Sequence, residues 1–287
     1  MIKLNYINRI KARLSIHSNK KSTNVLEGTY KSIYRGKSMN FENLREYTID
    51  DDMKDIDWKS SARSGNLLVK QFIAEKKHNI LLVMDSGIKM DADTDKQENK
   101  KELALYTAGS IGYLAIKNND YVGMIYKEKG VEFKPFKYNL YNLEEYLCAY
   151  AATKTEEAVE IEELLEYIVK NIPKKKVVFI ITDIAGVNSI SRQTLKQLKQ
   201  TSDIFVISIN DHNMTGDSLY DVKEKNFIPK IFLKDQRLAT VEKYVKSQLW
   251  ETNHQKLKAL NIPLTSISSL DELTIKITKL LEEHKYE

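Results

Sequence analysis

Clusters of aspartate are the feature of this chain with the clearest capacity for chemistry. Within eight positions the sequence places five carboxylates: Asp50, Asp51, Asp52, Asp55 and Asp57. Carboxylates this close repel one another unless cations, backbone N–H groups or a metal ion compensate them. The same segment supplies four basic side chains: Arg45, Lys54, Lys59 and Arg63. One interpretation of the cluster is therefore an Asp–Arg network that holds an irregular segment together.

Metal binding is the other interpretation of this cluster. A calcium loop of the EF-hand type would need a central glycine and a terminal glutamate, and the spacing provides neither. A metal-dependent hydrolase or nuclease would combine the acids between Asp51 and Asp57 with Glu75 and Lys77 on a following strand. That alternative predicts carboxylates that converge around a cation, whereas the network predicts carboxylates paired with arginine.

Two further aspartates each follow a short apolar run directly. Asp85 comes after the run 80–84, and Asp183 comes after the run 176–182. Such runs are typical of strands that a parallel sheet buries on both faces. Ligands of open α/β sheets bind in the crevice at the carboxyl ends of the strands. Asp85 and Asp183 are therefore predicted to line a ligand-binding edge.

The elements that would position these residues alternate between strand and helix from residue 79 onwards. Apolar runs predict strands at 79–84, 121–126, 131–136, 176–182, 204–209 and 263–267. Helical spacing predicts helices at 103–115, 141–150, 156–171, 189–200, 236–259 and 270–284. The turn 128–130 joins its two strands as a hairpin. The predicted fold is α/β, with a mostly parallel central sheet, one antiparallel edge strand and flanking helices, preceded by an irregular β-containing segment.

The region before residue 78 divides into two predicted parts. Residues 1–21 carry six basic side chains and no acid, with Leu4, Ile7, Ile10 and Leu14 at helical spacing. This pattern predicts a basic amphipathic helix that packs on the domain 78–287, with contact to an anionic membrane or a partner through residues 2–17 as the alternative. Residues 22–77 are predicted to dock on that domain because they must bury their aromatic side chains, which are Tyr30, Tyr34, Phe41, Tyr47, Trp58 and Phe72.

Composition narrows the class of protein. A net charge of +5 is too small to indicate nucleic-acid binding. No window reaches the roughly 18 apolar residues of a membrane span. The first residues lack the apolar core of a signal peptide. A lone Cys148 excludes an internal disulfide, and we expect a cytoplasmic protein.

The segment with the aspartate cluster resembles the signature of the prokaryotic family known as domain of unknown function 58. In order, the matching residues are Gly28, Ser32, Gly36, Phe41, Leu44, Arg45, Glu46, Tyr47, Asp51, Asp52, Ile56, Asp57, Trp58, Ser61, Ala62, Arg63 and Glu75. The sequence departs from the family pattern at two positions. Asp50 replaces a glycine that would tolerate positive φ, and Lys54 replaces an arginine and so loses its bidentate fork.

This resemblance implies a von Willebrand factor A-like domain. Such domains often bind Mg²⁺ through an Asp-x-Ser-x-Ser motif, a later threonine and a later aspartate. Here the motif region is Asp85, Ser86, Gly87, Ile88 and Lys89, so that Gly87 and Lys89 replace the two serines. Asp183 is placed for the last ligand, and Thr153 or Thr155 for the threonine. We predict a degenerate, metal-free site in which Lys89 pairs with Asp85 and Asp183, because Mg²⁺ requires near-octahedral oxygen coordination. The other interpretation is that Lys89 points to solvent.

Other candidate groups give weaker signals. Ser86 has neither the glycines of a nucleophile elbow nor a base nearby, so it is not predicted to be catalytic. None of the five histidines has metal-ligand spacing, although His212 follows a predicted strand at the same edge. Catalytic residues, metal and cofactor are accordingly predicted to be absent, with Mg²⁺ as the alternative ion.

The resemblance also suggests a function. Family members are commonly linked with MoxR-type AAA+ ATPases and often carry a membrane anchor before the signature. We expect a non-enzymatic protein-interaction module that serves as an adaptor or partner of such an ATPase. The alternatives are a metal-dependent hydrolase or nuclease that uses the Asp51–Asp57 cluster, and a Mg²⁺-dependent ligand-binding domain.

Overall fold

A computed structural model describes residues 5–16, 25–30, 40–49, 51–73, 77–154, 159–213, 220–221, 226–227 and 236–285 of the chain. The chain divides into two compact units. The larger unit consists of Met1–Ile33 and His78–Glu287, and the smaller unit consists of Tyr34–Lys77. The division after Lys77 coincides with the predicted end of the signature segment, whereas residues 22–33 group with the larger unit.

A six-stranded sheet forms the centre of the larger unit. Its strands are β3 (Asn79–Met84), β4 (Tyr121–Lys127), β5 (Val131–Lys137), β6 (Lys176–Asp183), β7 (Ser202–Ile209) and β10 (Leu264–Ile267). They lie in the order β10-β7-β6-β3-β4-β5. All neighbours pair in parallel except β4 and β5, which form the antiparallel hairpin at one edge. The predicted α/β fold with one antiparallel edge strand is confirmed.

Helices cover both faces of this sheet. Those of the larger unit include α1 (Asn5–Ile16), α3 (Lys100–Lys117), α4 (Leu140–Ala152), α5 (Ile161–Asn171), α6 (Ile184–Ser189), α7 (Arg192–Lys199), α8 (Gln236–Lys258) and α9 (Leu273–Lys285). Leu81, Val83 and Val178 share one core cluster with apolar side chains of α5, α6 and α7. Alternate strand residues point the opposite way, where Phe179 stacks on Phe205 with ring centroids 4.8 Å apart.

The first helix packs on the larger unit through its apolar stripe. Ile7, Ile10 and Leu14 are buried, and α1 lies against α3 and α4. Gly109 of α3 permits the close approach, since a Cβ there would lie 2.3 Å from Cδ1 of Ile10. Buried Glu144 accepts hydrogen bonds from the backbone N–H groups of Tyr6 and Ile7, both at 2.8 Å. A membrane contact of this helix stays a prediction, and it would have to use the polar face.

The smaller unit contains β1 (Asn40–Glu46), a 3₁₀ turn (Met53–Asp55), α2 (Trp58–Ser64) and β2 (Leu68–Ile73). Strands β1 and β2 pair antiparallel as a separate two-stranded sheet. Helix α2 ends at Gly65, whose φ of +78° is the left-handed conformation that glycine adopts without strain. Elsewhere in the chain the two-residue strands β8 (Tyr220–Asp221) and β9 (Asn226–Phe227) pair with each other.

Two sequence-based expectations differ from the structure in detail. The helix predicted at 189–200 corresponds to α7, which begins at Arg192 because Ile190 is extended and the side chain of Ser191 caps α7, while Ser189 ends the separate helix α6. Trp58 was expected to be buried but is 66% exposed, because it opens α2 at the surface. Among the residues that the structure describes, no helix has both the length and the apolar character of a membrane span.

Candidate functional site

The carboxyl edge of the central sheet brings together acids from three parallel strands. Asp85 follows β3 directly, Asp183 is the last residue of β6, and Asp211 comes two residues after β7. The order β7-β6-β3 makes these strands neighbours. Asp85 and Asp183 are buried, while Asp211 is partly exposed. We use the name aspartate edge for these three acids together with Lys100, whose contacts are described below.

Asp85 is held by hydrogen bonds to both of its carboxylate oxygens. Thr182 Oγ1 donates to Oδ2 at 2.6 Å, and the backbone N–H of Gly87 donates to Oδ1 at 2.9 Å. Burial raises the pKa of Asp85, and the charge of Asp183 acts in the same direction, while these hydrogen bonds and Lys100 oppose the rise. The carboxylate therefore has a fixed orientation without any added ligand.

Lys100 supplies the positive charge of this edge. Its ammonium donates to Asp183 Oδ2 at 3.3 Å and also to Asp211 Oδ1. The Lys100 side chain is only 1% exposed. Burial alone would lower the pKa of Lys100, but the carboxylates of Asp183 and Asp211 outweigh it, and the pKa is raised. The lysine is therefore a permanent cation between two acids.

The prediction that Lys89 supplies this charge is wrong. Lys89 lies in the 3₁₀ turn Ile88–Asp91 and is exposed to solvent. Within the described part of the chain, no ion pair joins Lys89 to Asp85 or Asp183. The turn directs the side chain outward, and Lys100 pairs with Asp183 in its place.

Gly87 has a steric reason for being glycine. A Cβ on this residue would lie 2.7 Å from the backbone N of Val159 and 3.3 Å from Oδ1 of Asp85. A serine at this position, as in the metal-binding motif, would therefore collide with the main chain. The loop is built for a residue without a side chain, and a hydroxyl ligand has no room here.

The hydroxyl groups near the edge are already used within the chain. Ser86 Oγ donates to the carbonyl of Lys127 and accepts from its N–H at 3.2 Å. Thr153 Oγ1 donates to the carbonyl of Tyr150 at 2.8 Å, and Thr155 lies outside the described residues. The buried Tyr150 hydroxyl donates to the backbone carbonyl of Asp85 at 2.6 Å, and burial raises the Tyr150 pKa well above its ordinary value.

Three aspartates of the smaller unit, Asp51, Asp52 and Asp57, have separate partners. Asp51 receives both guanidinium nitrogens of Arg45, one of them at 2.8 Å. This pairing, helped by hydrogen bonds from Thr48, lowers the pKa of Asp51 to about 2. Asp52 accepts from the N–H of Lys54 at 3.0 Å and caps the 3₁₀ turn. Asp50 lies outside the described residues.

Asp57 caps helix α2. Its Oδ1 accepts from the N–H of Ser60 at 3.1 Å, and Lys70 Nζ lies 3.9 Å from Oδ2. The hydrogen bond from Ser60 is the main cause that lowers the pKa of Asp57. These contacts are those of a helix cap, which stabilises the first turn of a helix.

The remaining signature residues hold local structure or face solvent. Buried Ser61 donates to the carbonyl of Asp57 at 2.8 Å and accepts from the N–H of Leu68 at 2.8 Å. Glu46 accepts from the Asn66 amide at 2.9 Å. The N–H of Tyr47 donates to the carbonyl of Leu67, the residue before β2, at 2.9 Å. Trp58 and Arg63 are exposed, and Glu75 lies outside the described residues.

His212 lies beside the edge rather than in it. Its backbone N–H donates to the carbonyl of Asp93 at 3.2 Å, and its ring nitrogen Nδ1 contacts the carbonyl of Asn213. The ring is therefore turned towards the following residue. We assign it no part in the edge.

Sequence reasoning missed Lys100, and one signal could have found it. Lys100 is the first residue of α3, directly after the cap residue Asn99. A cation at a helix N-terminus opposes the helix dipole, so this position needs carboxylates nearby. Thr182 was missed because a strand threonine gives no comparable signal.

These donors do not fit a divalent metal ion. An ammonium lies against Asp183, Gly87 excludes a hydroxyl, and Lys89 points away. In the described ranges, no three Asp, Glu, His or Cys side chains are grouped as a metal ligand set. The arrangement can orient the loops of the edge, and it offers no nucleophile paired with a base.

Comparisons with solved structures return proteins of low identity. Proximal thread matrix protein 1 from the mussel byssus has a TM-score of 0.44 at 11% identity, over 72% of this chain and 47% of that one. A von Willebrand factor type A protein from Catenulispora acidiphila has 0.42 at 10%, over 73% and 43%. The SpRpn10 VWA domain has 0.35 at 11%, over 72% and 95%. This chain thus spans less than half the length of the first two proteins.

Sequence comparison identifies the family. No curated protein matches the chain. The family described as "Protein of unknown function DUF58" matches residues 43–221, which include the aspartate cluster and the aspartate edge. The match covers more than half of the 287 residues. The chain therefore belongs to the DUF58 family.

Proposed function

We propose that this protein is a non-catalytic protein-interaction module, an adaptor or partner of a MoxR-type AAA+ ATPase, with a degenerate metal-ion-dependent adhesion site. The family resemblance suggests the partner. The proposal depends most on one observation at the aspartate edge, which is the ammonium of Lys100 between Asp183 and Asp211. That ammonium already neutralises part of the charge that a metal ion would otherwise neutralise.

A preassembled edge favours binding over catalysis. Asp85 and Asp183 each accept a hydrogen bond from a backbone N–H close by in sequence, and Asp85 accepts another from Thr182 on β6, so the edge is ordered before any partner arrives. Ordered surfaces lose less entropy on association. A catalytic acid, by contrast, needs a substrate within reach of a reactive oxygen.

The hydrolase alternative receives less support from the smaller unit. Asp51, Asp52 and Asp57 are directed to a guanidinium, a turn and a helix cap. Among its described residues, the same unit exposes four large apolar side chains: Ile49 at 94%, Met53 at 70%, Trp58 at 66% and Leu67 at 48%. Exposed tryptophan is enriched among the residues that carry the binding energy of interfaces, which supports a surface for a protein partner.

The compartment follows from this function. A MoxR-type ATPase hydrolyses ATP, and its adaptor would meet it in the cytoplasm. We therefore propose a cytoplasmic location.

Interferometry with the purified MoxR-type ATPase of the same organism tests the proposal. Three variants are compared with the wild type. The edge variant combines Lys89→Glu with Asp93→Lys at exposed positions of the carboxyl edge, and the second variant is Trp58→Ala in the smaller unit. The control combines Lys174→Glu with Lys175→Glu, directly before β6 at its opposite end. We expect the wild type and the control to bind equally. The edge variant or the Trp58 variant should bind at least about tenfold more weakly, a loss of about 1.4 kcal/mol.

Two results would contradict the proposal. Absence of wild-type binding to the ATPase would remove the partner. Hydrolysis of a phosphodiester or peptide that Asp51→Asn and Asp57→Asn abolish, while both variants stay folded, would replace the interaction module with an enzyme.

A further inference from the structure

Helix α8 is anchored to the core of the larger unit by its second half. Of its 23 residues, all of which the structure describes, only Asn253 and Leu257 are buried. Trp250 packs partly buried against the core cluster that contains Leu257. These three residues share one side of the helix, because they lie three and four positions apart. The half of α8 before Trp250 is a helix without a buried residue.

Four large apolar side chains of that first half are exposed. They are Leu238, Val241, Tyr244 and Val245, whose exposed fractions lie between 41% and 63%. Their spacing of three and four residues places them on one face of the helix. Val241 precedes Trp250 by nine residues, about two and a half turns, so this face points away from the core that Trp250 contacts. We call these four residues the α8 stripe.

The orientation of the first half of α8 is fixed from the side opposite the stripe. Lys246 Nζ donates to the backbone carbonyl of His212, after β7, at 2.9 Å, and it pairs with Glu242 Oε1 at 2.9 Å. Most helices in proteins are stabilised by burial of an apolar face. Contiguous exposed apolar side chains mark interaction sites, and a helical stripe of this spacing fits a second helix.

The charges beside the α8 stripe favour a second copy of this chain as the partner. Arg237 and Glu251 are both exposed, and they lie seven residues before and seven residues after Tyr244. Residues seven apart fall on nearly the same side of a helix, so both charges flank the stripe on one side. If two α8 helices pack antiparallel with a two-fold axis at Tyr244, Arg237 of each copy lies opposite Glu251 of the other. In a parallel pair each charge would meet its like.

We infer that the α8 stripe is a self-association surface, at which two copies of this chain pair through antiparallel α8 helices. The pairing is isologous, since each copy contributes the same patch. It covers Leu238, Val241 and Val245 of both copies and brings the two Tyr244 rings together at the axis. The inference goes beyond the proposed ATPase partner and does not depend on it. A single pair of helices makes a small interface, so we expect a weak, concentration-dependent dimer.

Sedimentation equilibrium of the full chain at up to about 100 μM tests this inference. We expect a monomer–dimer equilibrium with a dissociation constant in the micromolar range. Val245→Glu should weaken dimerisation at least about tenfold, because it places a carboxylate of each copy in the apolar seam. Ile275→Glu on α9 is the matched control, because Ile275 and Val245 are both 54% exposed. The control should dimerise like the wild type.

A charge exchange tests the antiparallel arrangement. Arg237→Glu and Glu251→Arg should each weaken dimerisation by about threefold or more, since each variant places like charges opposite one another. The double variant Arg237→Glu/Glu251→Arg should restore the wild-type affinity, because it exchanges the two charges. Circular dichroism checks that each variant is folded. Val241→Ser is a milder second variant of the stripe, for use if Val245→Glu does not fold.

Several results would overturn the inference. A wild-type chain that stays monomeric at about 100 μM excludes the dimer. A dimer that both stripe variants leave intact has its interface elsewhere. A double charge variant that dimerises no better than the single variants contradicts the antiparallel pairing. If the wild type is monomeric and Val245→Glu abolishes its binding to the ATPase, the α8 stripe belongs to that partner, and the proposed function stands while self-association fails.

Discussion

At the scale of single residues, the aspartate edge is defined by a lysine and a glycine. Lys100 places a positive charge where its carboxylate partners need one, and Gly87 leaves no room for a hydroxyl. Truncating one partner of a buried ion pair leaves the other charge uncompensated, which typically costs about 3 to 5 kcal/mol. Both residues therefore resist substitution for reasons of charge and volume.

Gly87→Ser should destabilise the larger unit. The new Cβ would lie 2.7 Å from the backbone N of Val159, and overpacking of this kind costs about 1 to 3 kcal/mol. Urea unfolding measures the loss. Gly130→Ser is the control, since a Cβ at Gly130 meets nothing within 4 Å. Equal stability of the two variants would contradict this account of the loop.

Arg45→Ala should raise the pKa of Asp51 from about 2 towards its ordinary value of 3.8. Because the pKa is lower in the folded state, the pair stabilises the fold above about pH 4, and this contribution disappears as the pH falls to about 2. Carboxyl NMR titration measures the pKa. Lys54→Ala is the control and should leave it unchanged. A wild-type pKa near 3.8 would contradict the Arg45–Asp51 pairing.

At the scale of elements, buried carboxylates hold helix ends in place. Glu144 of α4 accepts from the N–H groups of the first turn of α1, which have no partner within their own helix. A negative charge at this end also complements the helix dipole. Arg13 of α1 adds contacts to the larger unit, since it lies 4.0 Å from Asp271 and its guanidinium lies 5.7 Å from the centre of the Tyr106 ring.

Glu144→Ala should loosen α1 from α3 and α4. Two first-turn N–H groups lose their acceptor, and each buried unpaired group costs about 1 to 3 kcal/mol. Hydrogen exchange should become faster across residues 5–16 and change little in β6. Glu145→Ala serves as the control because Glu145 is exposed. Unchanged exchange in residues 5–16 would show that the apolar stripe alone holds the helix.

At the scale of the whole molecule, the positive charge of the aspartate edge comes from a side chain, the ammonium of Lys100, and not from a bound metal ion. A ligand that binds only the folded state raises the stability in proportion to the logarithm of its concentration. We expect melting temperatures in about 5 mM Mg²⁺ and about 5 mM EDTA to agree within about 1 °C, because no ion is bound or lost. A fall of several degrees in EDTA would indicate a resident metal ion. The test is differential scanning calorimetry of the full chain.

How much of the fold and of the aspartate edge could be predicted depends on how far apart in sequence the contacting residues lie. Apolar runs predicted the strands that place Asp85 and Asp183, because a strand buried in a parallel sheet is recognised from its own consecutive apolar residues. The Arg45–Asp51 pair lies six residues apart and fell within the predicted Asp–Arg network. Lys100 pairs with residues 83 and 111 positions away, and its place at a helix N-terminus signals a need for carboxylates without identifying which ones. Lys89 was chosen for its place in the motif, but a 3₁₀ turn directs it outward.

A crystal structure of the wild type grown in Mn²⁺, with data collected at the manganese absorption edge, tests the central claim most directly. The account predicts the Lys100 ammonium between Asp183 and Asp211 and no anomalous peak at the aspartate edge. An anomalous peak between those carboxylates, with Lys100 turned away, would contradict it.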